Sequence, residues 1–442
     1  MSDRHIFSRG GAQRPRISHG RGSELFDVDG RRYLDAASGA IVVGIGHGVT
    51  EVVEAAAAQA GRVAYVHGST FASEALEEYA EALAPLLPMD DPHLYPVSGG
   101  SEAVESALKM ARSYHRARGE DRDVVIGRDG AYHGNTRGAL DVSGRAGLRA
   151  PYLPWLDHAR HTGTPYEYRC AFGEDHPHGC AGRHAQALEE LITRIGPGRV
   201  AAFVAEPISG AGLGACVPPD DYWGAITEVC RQHGVLVVAD EVMTGFGRTG
   251  TWFASDHWGL RPDLLVAGKG TASGYWPLGL AVASGPVHEV LSGSGFVHGY
   301  TYSHHVVGAA TGLAVLRVLQ REDLVRASAR QGQRLHEALR RELGGVEAVG
   351  DVRGRGLLQA VELVSDRASK EPFERSERVT ERLQQACRDR GVLVYPGSGC
   401  ADGVRGDTLL LGPPLVVTDA EVEEMAAVVG DAAREVLGGS AA

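Results

Sequence analysis

Four short, β-rich and largely apolar runs recur between residues 120 and 270: "DVVIG" at 123–127, "VAAFVAEP" at 200–207, "VLVVADE" at 235–241 and "DLLVAGK" at 263–269. Between them the apolar spacing changes to that of amphipathic helices. In "EAVESALKMARSYHRA" Val104, Ala107, Leu108 and Ala111 fall on one face, and "DDYWGAITEVCRQHG" ends at Gly234, a helix C-cap signal. Strands alternating with helices predict an α/β fold, a mostly parallel sheet with helices on both faces.

Outside this stretch the pattern differs. "GSELFDVDGRRYLDAASG" holds two short apolar runs about the turn Asp29-Gly30 and predicts a small β-structure near residues 23–36. After about residue 305 two long helical patterns appear, "VVGAATGLAVLRVLQRE" and "LVRASARQGQRLHEALRREL". Short strands follow, then a last amphipathic helix from Asp419. The expected organisation is a large domain over 71–304 and a smaller α+β domain built from 1–70 and 305–442, the two ends sharing a sheet.

A chain of 442 residues that is 43% apolar can bury a sizeable core. Lys plus Arg number 44 against 56 Asp plus Glu, a net charge of -12 with no basic stripe, which argues against a nucleic-acid partner. No stretch approaches the roughly 18 uncharged apolar residues of a membrane span, and "MSDRHIFSRGGAQRPR" lacks the apolar core of a secretory signal, so the expected location is the cytoplasm. The 60 glycines are about twice average usage and point to loops that approach small ligands closely.

Six cysteines are too sparse for a disulfide framework. In "YRCAFGEDHPHGCAGRH" Cys170, His176, His178, Cys180 and His184 crowd together, yet no pair has the C-x2-C spacing of a strong zinc site. The cluster reads as a surface loop, and no metal is expected.

Ligands of open α/β sheets bind outside the carboxyl ends of the strands, where "VLVVA" delivers Asp240 and "DLLVAG" delivers Lys269. A lysine amine becomes a nucleophile when desolvation or a nearby cation lowers its pKa, and Lys269 sits between small residues after an apolar strand, a setting for Schiff-base chemistry. A buried carboxylate beside a heteroaromatic nitrogen keeps that nitrogen protonated, turning a pyridine ring into an electron sink. "YPVSGGSEAVESALKMAR" supplies small residues directly before a helix, so Gly99, Gly100 and Ser101 are a candidate phosphate cradle; a plain Ser-capped helix start fits the same residues. The dinucleotide fingerprint fails, because "GAGLGA" follows Glu206-Pro207 and opens no obvious helix.

In their order, "SGGSEAVESALKMAR", "AYHG", "AEPISGAG", "ADEVMTGFGRTG", "AGKG", "GYTYSHH" and "LLLGPPL" resemble class III (ω-type) aminotransferases over nearly the whole chain. The most specific element is "DEVMTGFGRTG" followed, 29 residues after its Asp, by a Gly-flanked Lys. The resemblance implies the fold of PLP-dependent transferases of fold type I and pyridoxal 5'-phosphate (PLP) carried on Lys269. It places Asp240 on the pyridine nitrogen, Val242 and Tyr132 on opposite ring faces, and His133 and Glu206 beside the cofactor. Gly100 and Ser101 of one subunit and Thr301 of the other would hold the phosphate, which implies a homodimer or a tetramer built from it. The implied reaction is a ping-pong transfer in which a donor amine displaces Lys269 and the freed lysine moves the proton.

Departures from the family pattern bear on substrate. The resemblance implies, in many members, an Arg that grips the α-carboxylate of glutamate-type substrates where this chain has Leu410, and in others a mobile Arg where it has Gly403. Arg405, two residues on, is the candidate carboxylate partner, and Ile41 and Tyr65 are candidate pocket residues. The expected donor is an amine or ω-amino acid and the acceptor pyruvate or 2-oxoglutarate, with the missing Arg favouring pyruvate. Racemase, aminomutase or decarboxylase chemistry on the same Lys and electron sink is the alternative, and a PLP-free binding protein the third reading. Glu241 must face away from Asp240, because adjacent strand residues point to opposite faces; its expected role is to hold the glycine-rich turn or the dimer interface.

Overall fold

The computed structural model describes residues 5 and 7, 14–173 and 179–438. Its centre is a seven-stranded sheet whose strands lie in the spatial order His93–Val97, Gly279–Ala283, Leu264–Ala267, Leu236–Asp240, Val200–Ala205, Val124–Arg128 and Ala159–Thr162. From Leu264–Ala267 to Ala159–Thr162 every pairing is parallel, and only Gly279–Ala283 runs against both neighbours. The four apolar runs of the sequence are the four central strands. Successive side chains of a strand alternate between faces, which sends Val204, Val238 and Val266 into one apolar layer and Phe203, Val237 and Ala239 into the other.

Helix Gly100–Ala117 closes the first face, burying Val104, Ala107 and Ala111 as its periodicity predicts. Helices Gly179–Ile195 and Tyr222–His233 close the second, where Leu188, Ile192, Tyr222 and Trp223 are buried. Gly234 ends its helix in the left-handed conformation, φ 63°, in which a side chain would be strained.

Segments from near the two ends of the chain share a sheet. Ile17–Arg21, Glu24–Asp27 and Arg32–Asp35 form an antiparallel meander about the Asp29-Gly30 turn, and Arg32–Asp35 takes Val392–Leu393 as a parallel neighbour. A second antiparallel sheet holds Val349–Arg355, Leu358–Leu363, Asp407–Leu411 and Tyr395–Ser398. Helices Leu324–Leu343, Val379–Asp389 and Asp419–Leu437 cover these strands, and one apolar cluster runs from Leu34 through Leu265, Leu316 and Leu339 to Leu411 and Val429. Among the described residues no helix is long and apolar enough to cross a membrane.

Candidate active site

Asp240 is the last residue of its strand and pairs with Val266 of the next, so the carboxyl end of Leu236–Asp240 lies beside the segment that carries Lys269. Lys269 follows Gly268 with φ 45°, an unfavourable conformation for a side-chain-bearing residue, and such strain concentrates at functional sites. On the other side, strand His93–Val97 leads through Ser98 and Gly99 into the helix that starts at Gly100. These three connections converge on a cavity of about 200 Å³ lined by Gly100, Ser101, Tyr132, His133, Gly134, Glu206, Ala211, Asp240, Val242, Met243 and Lys269.

Burial dominates the charges here. It pushes the Lys269 amine below the usual lysine range, with Asp240 and Glu206 pulling the other way and Arg248 adding to the depression. Glu206 is pushed up by burial and by Asp240, against the opposing charges of His133 and Arg128. Asp240 is fixed through both oxygens: Oδ1 accepts the Val242 N–H at 3.0 Å and Oδ2 meets His133 Nδ1 at 2.6 Å. Glu206 Oε1 accepts the Gly210 N–H at 3.2 Å, and Arg128, wholly buried, donates to the Glu206 carbonyl and to Ser209 Oγ.

Two buried polar atoms of the cavity residues, Glu206 Oε2 and His133 Nε2, have no hydrogen-bond partner among the described residues. Such groups are costly unless a ligand or water satisfies them. The helix at Gly100 has no side-chain cap, so its first N–H groups and positive dipole end are available to an anion. Small residues are required around it: a Cβ on Gly100 would stand 3.0 Å from Val242, one on Gly134 would collide with Ser101 Oγ, and one on Gly279 would stand 2.5 Å from the Gly99 carbonyl. An uncapped helix start, unpaired polar atoms and a desolvated lysine on one cavity fit a phosphorylated pyridine aldehyde.

Residues 8–432 match the family model described as Aminotransferase class-III. The chain is a class III aminotransferase. It is 37% identical over 420 residues to the uncharacterized aminotransferase YodT of Bacillus subtilis, spanning 94% of each chain. It is 34% identical over 412 residues to the putrescine–pyruvate aminotransferase of Pseudomonas aeruginosa, covering 92% of this chain and 88% of that one. An amine transaminase from an uncultivated Pseudomonas species, solved in its PLP-bound form, superposes with a TM-score of 0.92 at 34% identity, over 99% of this chain and 100% of that one. The aminotransferase therefore has the PLP-dependent transferase fold of type I, and its cofactor is pyridoxal 5'-phosphate.

Glu241, the second acid of the pair, is fully buried behind the strand end. It accepts hydrogen bonds from Thr244 Oγ1, from the N–H groups of Ala254 (3.0 Å) and Ser255 (2.7 Å) and from Ser255 Oγ (2.7 Å). Its backbone carbonyl accepts the Gly245 N–H, so of the two roles expected for it, holding the glycine-rich turn is the one seen.

The residues expected on the substrate side fare differently, since none of the three lines the cavity. Arg405 is held by Asp402, Glu371 and Glu374 at 2.8 to 3.2 Å, which leaves its guanidinium engaged by three carboxylates instead of facing the site. Ile41 is buried, at φ 58°, in an apolar cluster with Ile208, Leu358 and Leu410, and the cavity-lining Met243 packs against that cluster. Tyr65 is 39% exposed and donates its hydroxyl to the Thr301 carbonyl at 2.8 Å, placing both residues on the surface of this chain. Met243, Ala211 and Gly134 line the cavity without having been picked out in the sequence, and Arg128 supports Glu206 from behind. Arg128 ends a sheet strand as Asp240 does, and that shared position was the available signal.

Proposed function

We propose that the aminotransferase moves an amino group from an amine or ω-amino acid to a keto acid in two half-reactions, with Lys269 as nucleophile and proton carrier. The observation that carries this reading is a desolvated lysine and a doubly anchored carboxylate, Asp240, lining one cavity. When bound, PLP supplies an electron sink for the charge left on the substrate carbon as its proton departs. Gly100 and Ser101 at the uncapped helix start would bind its phosphate, and Val242 and Tyr132 would hold its ring. Asp240, kept in place by His133 and the Val242 N–H, would hold a proton on the pyridine nitrogen, and Glu206 would serve the ring hydroxyl or the substrate. Burial lowers the Lys269 amine below the usual lysine range and so favours the neutral form, in which Nζ would attack a carbonyl carbon and then carry the proton from the substrate carbon across to the cofactor.

Leu410 is wholly buried against Ile41, and Arg405 is engaged elsewhere, so neither position offers a cation to a second carboxylate. That favours pyruvate over 2-oxoglutarate. The testing experiment is a panel of amines and ω-amino acids against both acceptors, following cofactor absorbance and product together. The expected outcome is amine-dependent bleaching reversed faster by pyruvate. Donors that lose carbon dioxide or racemise without passing nitrogen to a keto acid would contradict transamination.

The second part of the reading is a homodimer in which Thr301 reaches the partner's phosphate site. Thr301 is exposed next to Tyr302, itself 59% exposed, and Val297 and Phe71 are 87% and 60% exposed, apolar groups of the kind a subunit interface covers. Light scattering should give about twice the chain mass of 46.8 kDa. A monomer with full activity rules this arrangement out.

A further inference from the structure

Away from the PLP cavity, three ligand-type side chains meet beside the edge strand Ala159–Thr162. Cys170 follows the short turn Glu167–Arg169, while Cys180 and His184 lie one turn apart near the start of helix Gly179–Ile195. A spacing of four residues puts the last two on one helix face. The Sγ atoms of Cys170 and Cys180 are 3.8 Å apart, and the two sulfurs and one His184 nitrogen all lie within 4.8 Å of one another. The sequence pattern alone reads as an ordinary surface loop. In the fold both cysteines are half-buried and His184 is 1% exposed. His176 and His178, from the same stretch, lie outside the described residues.

The spacing matches a specific coordination geometry. Two thiolates each about 2.3 Å from a tetrahedral zinc ion stand about 3.8 Å apart, and a thiolate and an imidazole about 3.6 Å apart. The sulfur pair therefore already has that separation, and the histidine needs a shift of about an ångström. Its ring is positioned by its neighbours: Phe172 and Tyr222 pack edge-on at centroid distances of 4.9 and 6.2 Å, and Gly163 leaves room that a Cβ, 3.4 Å from Cε1, would crowd. Thiolate and imidazole donors together suit zinc, whereas calcium and magnesium prefer oxygen.

We propose that Cys170, Cys180 and His184 form a structural zinc site that clamps the loop after strand Ala159–Thr162 to helix Gly179–Ile195. Zinc takes the place of the thiol protons on Cys170 and Cys180, which are released to solvent. The site shares no residue with the PLP cavity and stands or falls independently of the transamination reading.

The test uses the untagged, full-length holoenzyme, equilibrated with zinc chloride under reducing conditions, freed of excess metal and analysed by elemental mass spectrometry. The expected result is about one zinc per chain. Cys170→Ser, Cys180→Ser and His184→Asn should each weaken zinc binding by at least tenfold. Cobalt substitution of the wild type should give the intense red-region bands of tetrahedral thiolate coordination, clear of the cofactor's absorbance. Because His184 is buried, the half-buried Cys170→Ser variant with unchanged circular dichroism keeps the test decisive if the histidine variant misfolds. Failure of the wild type to retain zinc, equal zinc retention in folded Cys170→Ser protein, or recovery of Cys170 and Cys180 as a disulfide under these conditions overturns the site.

Discussion

Lys269→Ala loses turnover by at least about 10⁴-fold, because one substitution removes both the nucleophile and the proton carrier. PLP binding survives weakly, since the helix start at Gly100 and the Val242 and Tyr132 faces are untouched. The pH response of the cofactor-free protein checks the electrostatic part. The folded Lys269 amine releases its proton below the ordinary lysine pKa of 10.5, so between those two values the unfolded chain binds more protons. Stability from this group therefore rises with pH across that window, and is lowest below the folded pKa, where a charge must be buried. Melting curves of wild type should improve relative to Lys269→Ala as pH rises toward that of free lysine. Near-normal turnover in the variant, or no difference in pH dependence, contradicts the assigned role.

Asp240→Asn keeps the shape of the side chain but removes its charge, and turnover should fall by about 10² to 10³-fold, the usual effect of losing one preorganised electrostatic partner. The amide can still accept from the Val242 N–H and pair with His133, so the melting temperature should move little and the cofactor should still bind. A steady-state rate for the variant under saturating donor, alongside its absorbance spectrum, separates loss of charge from loss of cofactor. A rate within a few-fold of wild type means that Asp240 does not hold the ring proton.

The strands at the centre of the sheet were legible because burial on both faces demands unbroken apolar runs, and the four runs are where the strands lie. Three further strands were not. His93–Val97 contains Pro96 and begins with a histidine, Ala159–Thr162 is an edge strand written "ARHT", and the antiparallel Gly279–Ala283 starts on a glycine held tight against the Gly99 carbonyl. Ile17–Arg21, "ISHGR", is an exposed edge whose one large apolar residue, Ile17, makes no alternating pattern.

Within the site, what was readable locally was what one strand end carries: Asp240, Lys269 and the small residues before the helix. Contacts between distant segments were not. His133 meets Asp240 across 107 residues, and its place beside the cofactor was implied by family resemblance alone. Arg405 shows the same limit in the opposite sense. Its position near "PPL" suggests a free cation, but Glu371 and Glu374, 34 and 31 residues earlier, fold back onto it. Glu241 was half legible: alternation turned it away from Asp240, while only the fold reveals the Ala254 and Ser255 N–H groups that it caps.

The central claim is that Lys269 carries the cofactor, and peptide mapping after borohydride reduction tests it most directly. The purified protein, incubated with PLP, should be yellow, bleach on reduction, and yield one pyridoxyl-modified peptide with the label on Lys269. A colourless protein that takes up no PLP, or a label fixed on any other lysine, contradicts the account.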